Sequence, residues 1–127
     1  MAKRPALARS ELEIARLVWD LKEATVRQVA EALPEGRQLD FWTVQTYLRR
    51  LAAKGYLRVR RKGRSNVYTS RVRPGRVIGQ LVEDFVRRVF DGEALPLVQQ
   101  LIRDRGLSDE EIEQLQHTLE RLKDRRK

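Results

Sequence analysis

Residues 41–73 set a helical period directly against a two-residue period, and few folds can follow that order. Over the first part, Val44, Leu48 and Leu51 recur on one side of a helix. Gly55, just after Lys54, reads as the glycine that ends it. Two alternating runs follow, Leu57-Arg58-Val59-Arg60-Arg61 and Asn66-Val67-Tyr68-Thr69-Ser70, joined by Lys62-Gly63-Arg64-Ser65. This pattern predicts a helix and then a β-hairpin. The stretch also carries ten Lys or Arg and no Asp or Glu. Such a surface repels itself unless a polyanion neutralises it, so the expectation is a DNA-reading helix followed by a basic wing. The competing reading is a solvated basic hairpin on an ordinary domain.

The distribution of charge sharpens this. The 127-residue chain has a formal net charge of +9. Residues 1–73 hold 17 Lys and Arg against 7 Asp and Glu, a net of +10, and residues 74–127 hold 10 against 11, a net of −1. Basic character confined to one half points to a dedicated nucleic-acid surface. There is no cysteine, which rules out disulfides and thiolate metal sites and fits a reducing cytoplasm. No apolar run approaches the roughly 18 residues of a membrane span and no signal-peptide core is present, so the expectation is a soluble, cytoplasmic protein with no membrane insertion.

Met1 to Arg9 is short, basic and expected to be loosely held. Ser10-Glu11-Leu12-Glu13 has capping-box spacing, and Ile14, Leu17, Val18 and Leu21 follow it, so a first helix is expected from Ser10 to about Asp20. Thr25-Val26-Arg27-Gln28 repeats the cap ahead of Val26, Val29, Ala30 and Leu33, and Pro34 stops that second helix. Asp40 suits the N-cap of the third helix, with Thr43 facing it. Two short helices, a turn, a third helix and a basic hairpin make a winged helix-turn-helix over residues 1–73.

At about 100° per residue, Trp42, Thr43, Thr46, Arg49, Arg50 and Ala53 lie opposite the core line of the third helix. A recognition helix presents its early residues to major-groove base edges. Thr43 and Thr46 are candidates for thymine methyls or base hydrogen bonds, and Arg49 and Arg50 for a guanine or a phosphate. Trp42 has a second reading, packed beneath a neighbouring loop, and Tyr47 is expected at the edge of the core. In the wing, Arg58, Arg60 and Lys62 fall on one side of the first strand, with Leu57 and Val59 on the other. Lys62, Gly63 and Arg64 form the tip. Arg60, Lys62 and Arg64 are candidate phosphate contacts.

The composition changes at Pro74-Gly75, and residues 74–127 are expected to form a helical dimerisation domain. Val77, Ile78, Leu81, Val82, Phe85, Val86, Val89 and Phe90 make one dense apolar face, ending near Asp91-Gly92. Leu95, Leu97, Val98, Leu101 and Ile102 continue in a second helix to Gly106. A third capping box, Ser108 to Glu111, precedes Ile112, Leu115, Leu119 and Leu122 at 3-4-3 spacing. About fifty residues cannot bury this much apolar surface alone. Two interlocking copies can, with Val82, Phe85, Val89, Leu101, Ile112, Leu115, Leu119 and Leu122 at the junction. The alternative is that these helices pack back on their own chain.

The segments LARSELEIARLVWDL, TVRQVAEAL, TVQTYLRRLAAKGYL, KGRSNVYT, FVRRVFDGE and GLSDEEIEQLQHTLERLK resemble the BlaI/MecI/CopY group of bacterial penicillinase-type repressors along nearly the whole chain. The resemblance implies a homodimer that binds an operator palindrome and blocks transcription, with a C-terminal helical dimerisation domain. Three departures limit what it carries. β-Lactam-responsive members are cut at an Asn-Phe bond, and Gln100-Leu101 aligns with it here. Copper-responsive members carry paired cysteines near the C-terminus, and this chain has none. Phe41 stands where a proline is common. Fold and repression transfer; the inducing signal, the operator, the regulated genes and any sensor protease are not assigned by the sequence.

An enzyme is not expected. His117 lies off the Ile112-Leu115-Leu119 seam on a charged helix, and there is no Gly-rich phosphate loop or metal-ligand cluster. No cofactor is implied. Two other readings stay open at this point: a winged-helix regulator that senses a ligand between its domains, and an adaptor whose C-terminal helices hold a protein partner.

Overall fold

The computed structural model describes residues 4–126. The elements in order are α1 (Arg9–Leu21), β1 (Glu23–Ala24), α2 (Val26–Glu31), α3 (Phe41–Ala53), β2 (Leu57–Lys62), β3 (Ser65–Ser70), α4 (Pro74–Phe90), α5 (Ala94–Arg105) and α6 (Asp109–Arg125). The class is mainly α with a small antiparallel sheet, the winged-helix arrangement. The chain divides into two compact units, Met1–Gly79 and Gln80–Lys127, and the division falls inside α4 rather than ahead of it.

In the first unit the apolar faces of three helices meet one side of the sheet. Ile14, Ala15 and Val18 of α1, Val29 of α2, and Val44, Leu48 and Leu51 of α3 are all fully buried. Ala24, Leu57 and Tyr68 close the core from the sheet. The sheet order is β1-β3-β2, with Glu23 and Ala24 opposite Thr69 and Tyr68. The sequence reading lacked β1, because two residues have no measurable period. The hairpin strands also reach further than expected, pairing Lys62 with Ser65 across a two-residue turn. Gly63 opens that turn at φ +63°, a conformation that Gly adopts without steric penalty.

Three helix starts follow their caps and one does not. Gln28 N–H donates to Thr25 Oγ1 at 3.2 Å, Thr43 N–H to Asp40 Oδ1 at 2.7 Å, and Glu111 N–H to Ser108 Oγ at 3.1 Å. Helix α1 instead starts one residue before Ser10. Its first intrahelical bond runs from Leu12 N–H to the Ala8 carbonyl, and the Glu11 carboxylate takes the Ala8 N–H at 2.7 Å. The expected Ser10–Glu13 cap is therefore wrong. Both side chains receive Arg37 from the loop after α2: its guanidinium donates to Glu13 at 2.9 Å and to Ser10 Oγ at 3.3 Å. The i, i+3 spacing that suits a capping box also places two acceptors on one helix face, so spacing alone could not separate these roles.

The N-terminal segment is also better held than expected. Arg4 Nε donates to the Gly55 carbonyl at 2.9 Å, Tyr56 Oη to the Pro5 carbonyl at 2.7 Å, and Lys54 Nζ to the Ala6 carbonyl at 2.9 Å. The looseness expected for residues 1–3 lies outside the described residues.

In the second unit, Val86 is the one residue of the described part that is buried. The Phe85 and Phe90 rings sit 6.0 Å apart at 53°. Val82, Phe85, Val89, Leu95, Leu101, Ile112, Leu119 and Leu122 are all exposed, while Leu115 is half-buried.

Candidate nucleic-acid interface

The candidate surface is built around α3. Thr43 backbone N–H, with the Thr43 hydroxyl, holds the Asp40 carboxyl below its ordinary value and fixes the helix start. At the other end, Tyr56 N–H returns to the Leu51 carbonyl at 2.9 Å and Gly55 N–H to the Ala52 carbonyl at 3.1 Å. With Gly55 at φ +89°, this is the Schellman stop expected at that glycine.

Between these ends, Trp42, Thr46, Arg49 and Arg50 are exposed and Thr43 is half-buried beside its cap. Trp42 is 74% exposed, which rejects its packing beneath a loop. Thr46 Oγ1 donates to the Trp42 carbonyl at 2.9 Å, placing the two on one stripe of the helix. The Arg50 guanidinium lies 5.9 Å from the centre of the Tyr47 ring, and Tyr47 itself packs against the core. Burial raises the Tyr68 hydroxyl above its ordinary value, against the opposing charge of Arg49.

The wing departs from its expected pattern at two points. Leu57 is buried, but Val59 is 47% exposed. Val59 lies two residues further out along β2 than Leu57 and is uncovered, although its cross-strand partner Tyr68 is buried. The acid-free character of residues 41–73 also does not survive folding. Strand β1 brings Glu23 to the wing, 3.6 Å from Arg60 and 3.7 Å from Lys62. All three are well exposed, so these contacts are weak and open to competition. Arg64 stands in the turn, and Arg61 Nε donates to the Gly63 carbonyl at 3.4 Å.

Behind α3 lies a tighter pair. Glu11 is 2% exposed and accepts Lys54 Nζ at 2.6 Å. Burial pushes its carboxyl up, but the Lys54 hydrogen bond, the Ala8 N–H and the charges of Lys54 and Arg50 together hold it below its ordinary 4.5.

The model of the family described as penicillinase repressor matches residues 7–121. The penicillinase repressor of Bacillus licheniformis is 31% identical over 127 residues, covering 100% of this chain and 99% of the relative. The chain belongs to the penicillinase repressor family. MecI, the methicillin resistance regulatory protein of Staphylococcus aureus, is 24% identical over 89% of this chain and 92% of its own. The solution structure of monomeric B. licheniformis BlaI in complex with the blaP half-operator is 31% identical, with a TM-score of 0.50 over 59% of this chain and 92% of that one. A mutant form of MarR from Escherichia coli is 16% identical with a TM-score of 0.53 over 91% of this chain and 77% of that one, a likeness of fold alone. The family consists of DNA-binding transcriptional repressors, not enzymes. His117 sits exposed on α6, and no group of three or more metal-binding side chains occurs among the described residues. No helix among them is long and apolar enough to cross a membrane.

Proposed function

We propose that the protein is a homodimeric, cytoplasmic repressor that binds an operator palindrome, with α3 in the major groove and the β2–β3 wing against the phosphates. In this reading Trp42, Thr43, Thr46, Arg49 and Arg50 face the bases and adjoining backbone, and Arg60, Lys62 and Arg64 meet phosphate. The observation that carries it is the exposed Trp42–Thr46–Arg49 stripe, which begins at the start of α3, on a helix and hairpin without an acidic residue. That the BlaI relative binds a half-operator supports DNA as the partner. A palindrome needs two reading heads related by a two-fold axis. Exposed apolar residues on α4, α5 and α6, in a unit with one buried residue among those described, support a second copy as their cover.

The test is a binding titration of the full chain on DNA from upstream of its own gene, against random duplex of equal length. A specificity ratio of about 10³ or more is expected, with two half-sites about one helical turn or a multiple of it apart. Equal affinity for both duplexes would remove the sequence-specific reading.

Charge in the wing gives a paired expectation. Arg60→Ala with Arg64→Ala should weaken binding evenly on all sequences and reduce the salt slope by about 2, roughly one per lost phosphate contact. Glu23→Gln should act in the opposite sense. Freeing Arg60 and Lys62 from a competing carboxylate should tighten binding by about threefold at low salt, with the gain fading as salt screens it. Affinity measured between about 50 and 200 mM salt separates the two, and an unchanged slope in the double variant would take the wing off the backbone.

A further inference from the structure

Trp42 is more exposed, at 74%, than any other large hydrophobic residue described. It is the second residue of α3, at the end of a recognition helix that comes nearest to base edges. The Asp40 carboxylate, two residues before it, is committed to the Thr43 N–H at 2.7 Å, and the cations Arg49 and Arg50 lie about two turns further along the same helix. DNA suits those two cations, and the exposed indole face beside them calls for an apolar feature of the same partner as its cover. In the major groove of duplex DNA, the apolar group displayed is the thymine C5-methyl.

The next side chain on the stripe narrows the arrangement. The Thr46 hydroxyl hydrogen is already committed to the Trp42 carbonyl. Thr46 can then offer only lone pairs and its methyl, suiting an adenine or cytosine amino group or a second thymine methyl. The hydrogen bond also ties the two positions together across one helical turn.

Resting on the DNA-binding reading above, we propose that Trp42 is a specificity-determining residue that reads a thymine methyl in each half-site. The indole covers the methyl from the groove side, and Thr46 reads an adjoining base. Guanidinium contacts from the same helix set affinity, while the indole selects thymine over cytosine at one position.

The test uses the full chain and a duplex selected from a random library by that chain. Each thymine of the selected site is replaced in turn by uracil, which removes only the methyl. One thymine per half-site is expected to lose about fourfold in affinity on replacement, the transfer free energy of one buried methyl expressed as a ratio. In Trp42→Ala the same replacement should have no effect, while binding elsewhere keeps its pattern. Trp42→Phe should retain part of the thymine dependence. Acrylamide quenching gives an independent reading, because the site should shield Trp42 while Trp19, packed against the core, changes little. A uracil scan that is flat in the unaltered protein, or a thymine dependence that persists in Trp42→Ala, would overturn the proposal and leave DNA binding intact. If no sequence is selected from the library, the DNA-binding reading fails and takes this one with it.

Discussion

Leu119→Asp is expected to convert the proposed dimer to monomers while each protomer stays folded. Leu119 is 50% exposed in the single chain, so a carboxylate there meets water and disturbs little within the protomer. In the dimer it would enter an apolar seam with Ile112 and Leu122, where an unpaired charge is strongly disfavoured. A central interface residue contributes about 2 kcal/mol or more when truncated, and two-fold symmetry places the change on both sides. The dimer dissociation constant should therefore rise by about 10³. Sedimentation at micromolar concentration measures this directly, with helical content by circular dichroism as the control. A variant that still sediments as a dimer would show that α6 does not form the junction. Leu115, named alongside it by the heptad-like spacing, is a poorer site for this test because it is half-buried already and its replacement would also strain the protomer.

Lys54→Met should produce a large loss of folding stability in the winged-helix unit. It strands the Glu11 carboxylate at 2% exposure with its closest cation gone, and also releases the Ala6 carbonyl. Removing one partner of a buried ion pair costs about 3 kcal/mol or more, which for a unit of this size lowers Tm by roughly 10–20 °C. The sign with pH is determined. In the native protein Glu11 lies below its ordinary 4.5, so its stabilising contribution is present above that value and is lost as the pH falls through the folded one. In Lys54→Met burial acts with less opposition, raising the Glu11 carboxyl and favouring the folded state at acid pH. Both effects narrow the gap between the two proteins as the pH falls from about 7 towards 4. Thermal unfolding at those two pH values, with the Glu11→Leu/Lys54→Met double variant restoring much of the loss, checks the argument. A pH-independent gap below about 1 kcal/mol would dismiss Glu11–Lys54 as a structural clasp.

This clasp also bears on function. It joins the start of α1 to the end of α3, while Arg37 joins the loop before α3 to the flank of α1 through Glu13 and Ser10. The proposed recognition helix is thus anchored near both ends by ion pairs to one neighbour. Anchoring of this kind keeps base-contacting side chains in a single register, which binding would otherwise have to impose at an entropic penalty.

Much of this was written locally. The core line Val44-Leu48-Leu51, the caps at Thr25, Asp40 and Ser108, the glycine at 55 and the alternation of the hairpin each depend on residues a few positions apart, so short-range periodicity recovers them. Trp42, Thr46, Arg49 and Arg50 follow from the same helical period once the core line is known. The apolar excess of residues 74–127 is likewise a property of composition. Folding decided what depends on residues distant in the chain. Glu23 meets Arg60 and Lys62 only because β1 pairs with β3. Ser10 and Glu13 serve Arg37 rather than a helix start, and Glu11, one position away, is buried against Lys54. Val59 is exposed while Leu57, on the same strand and face, is buried, a difference that alternation does not contain. Short-range geometry is repeated every few residues and can be read from them; an ion pair across 43 residues or a strand's place in a sheet exists only when the chain has closed on itself.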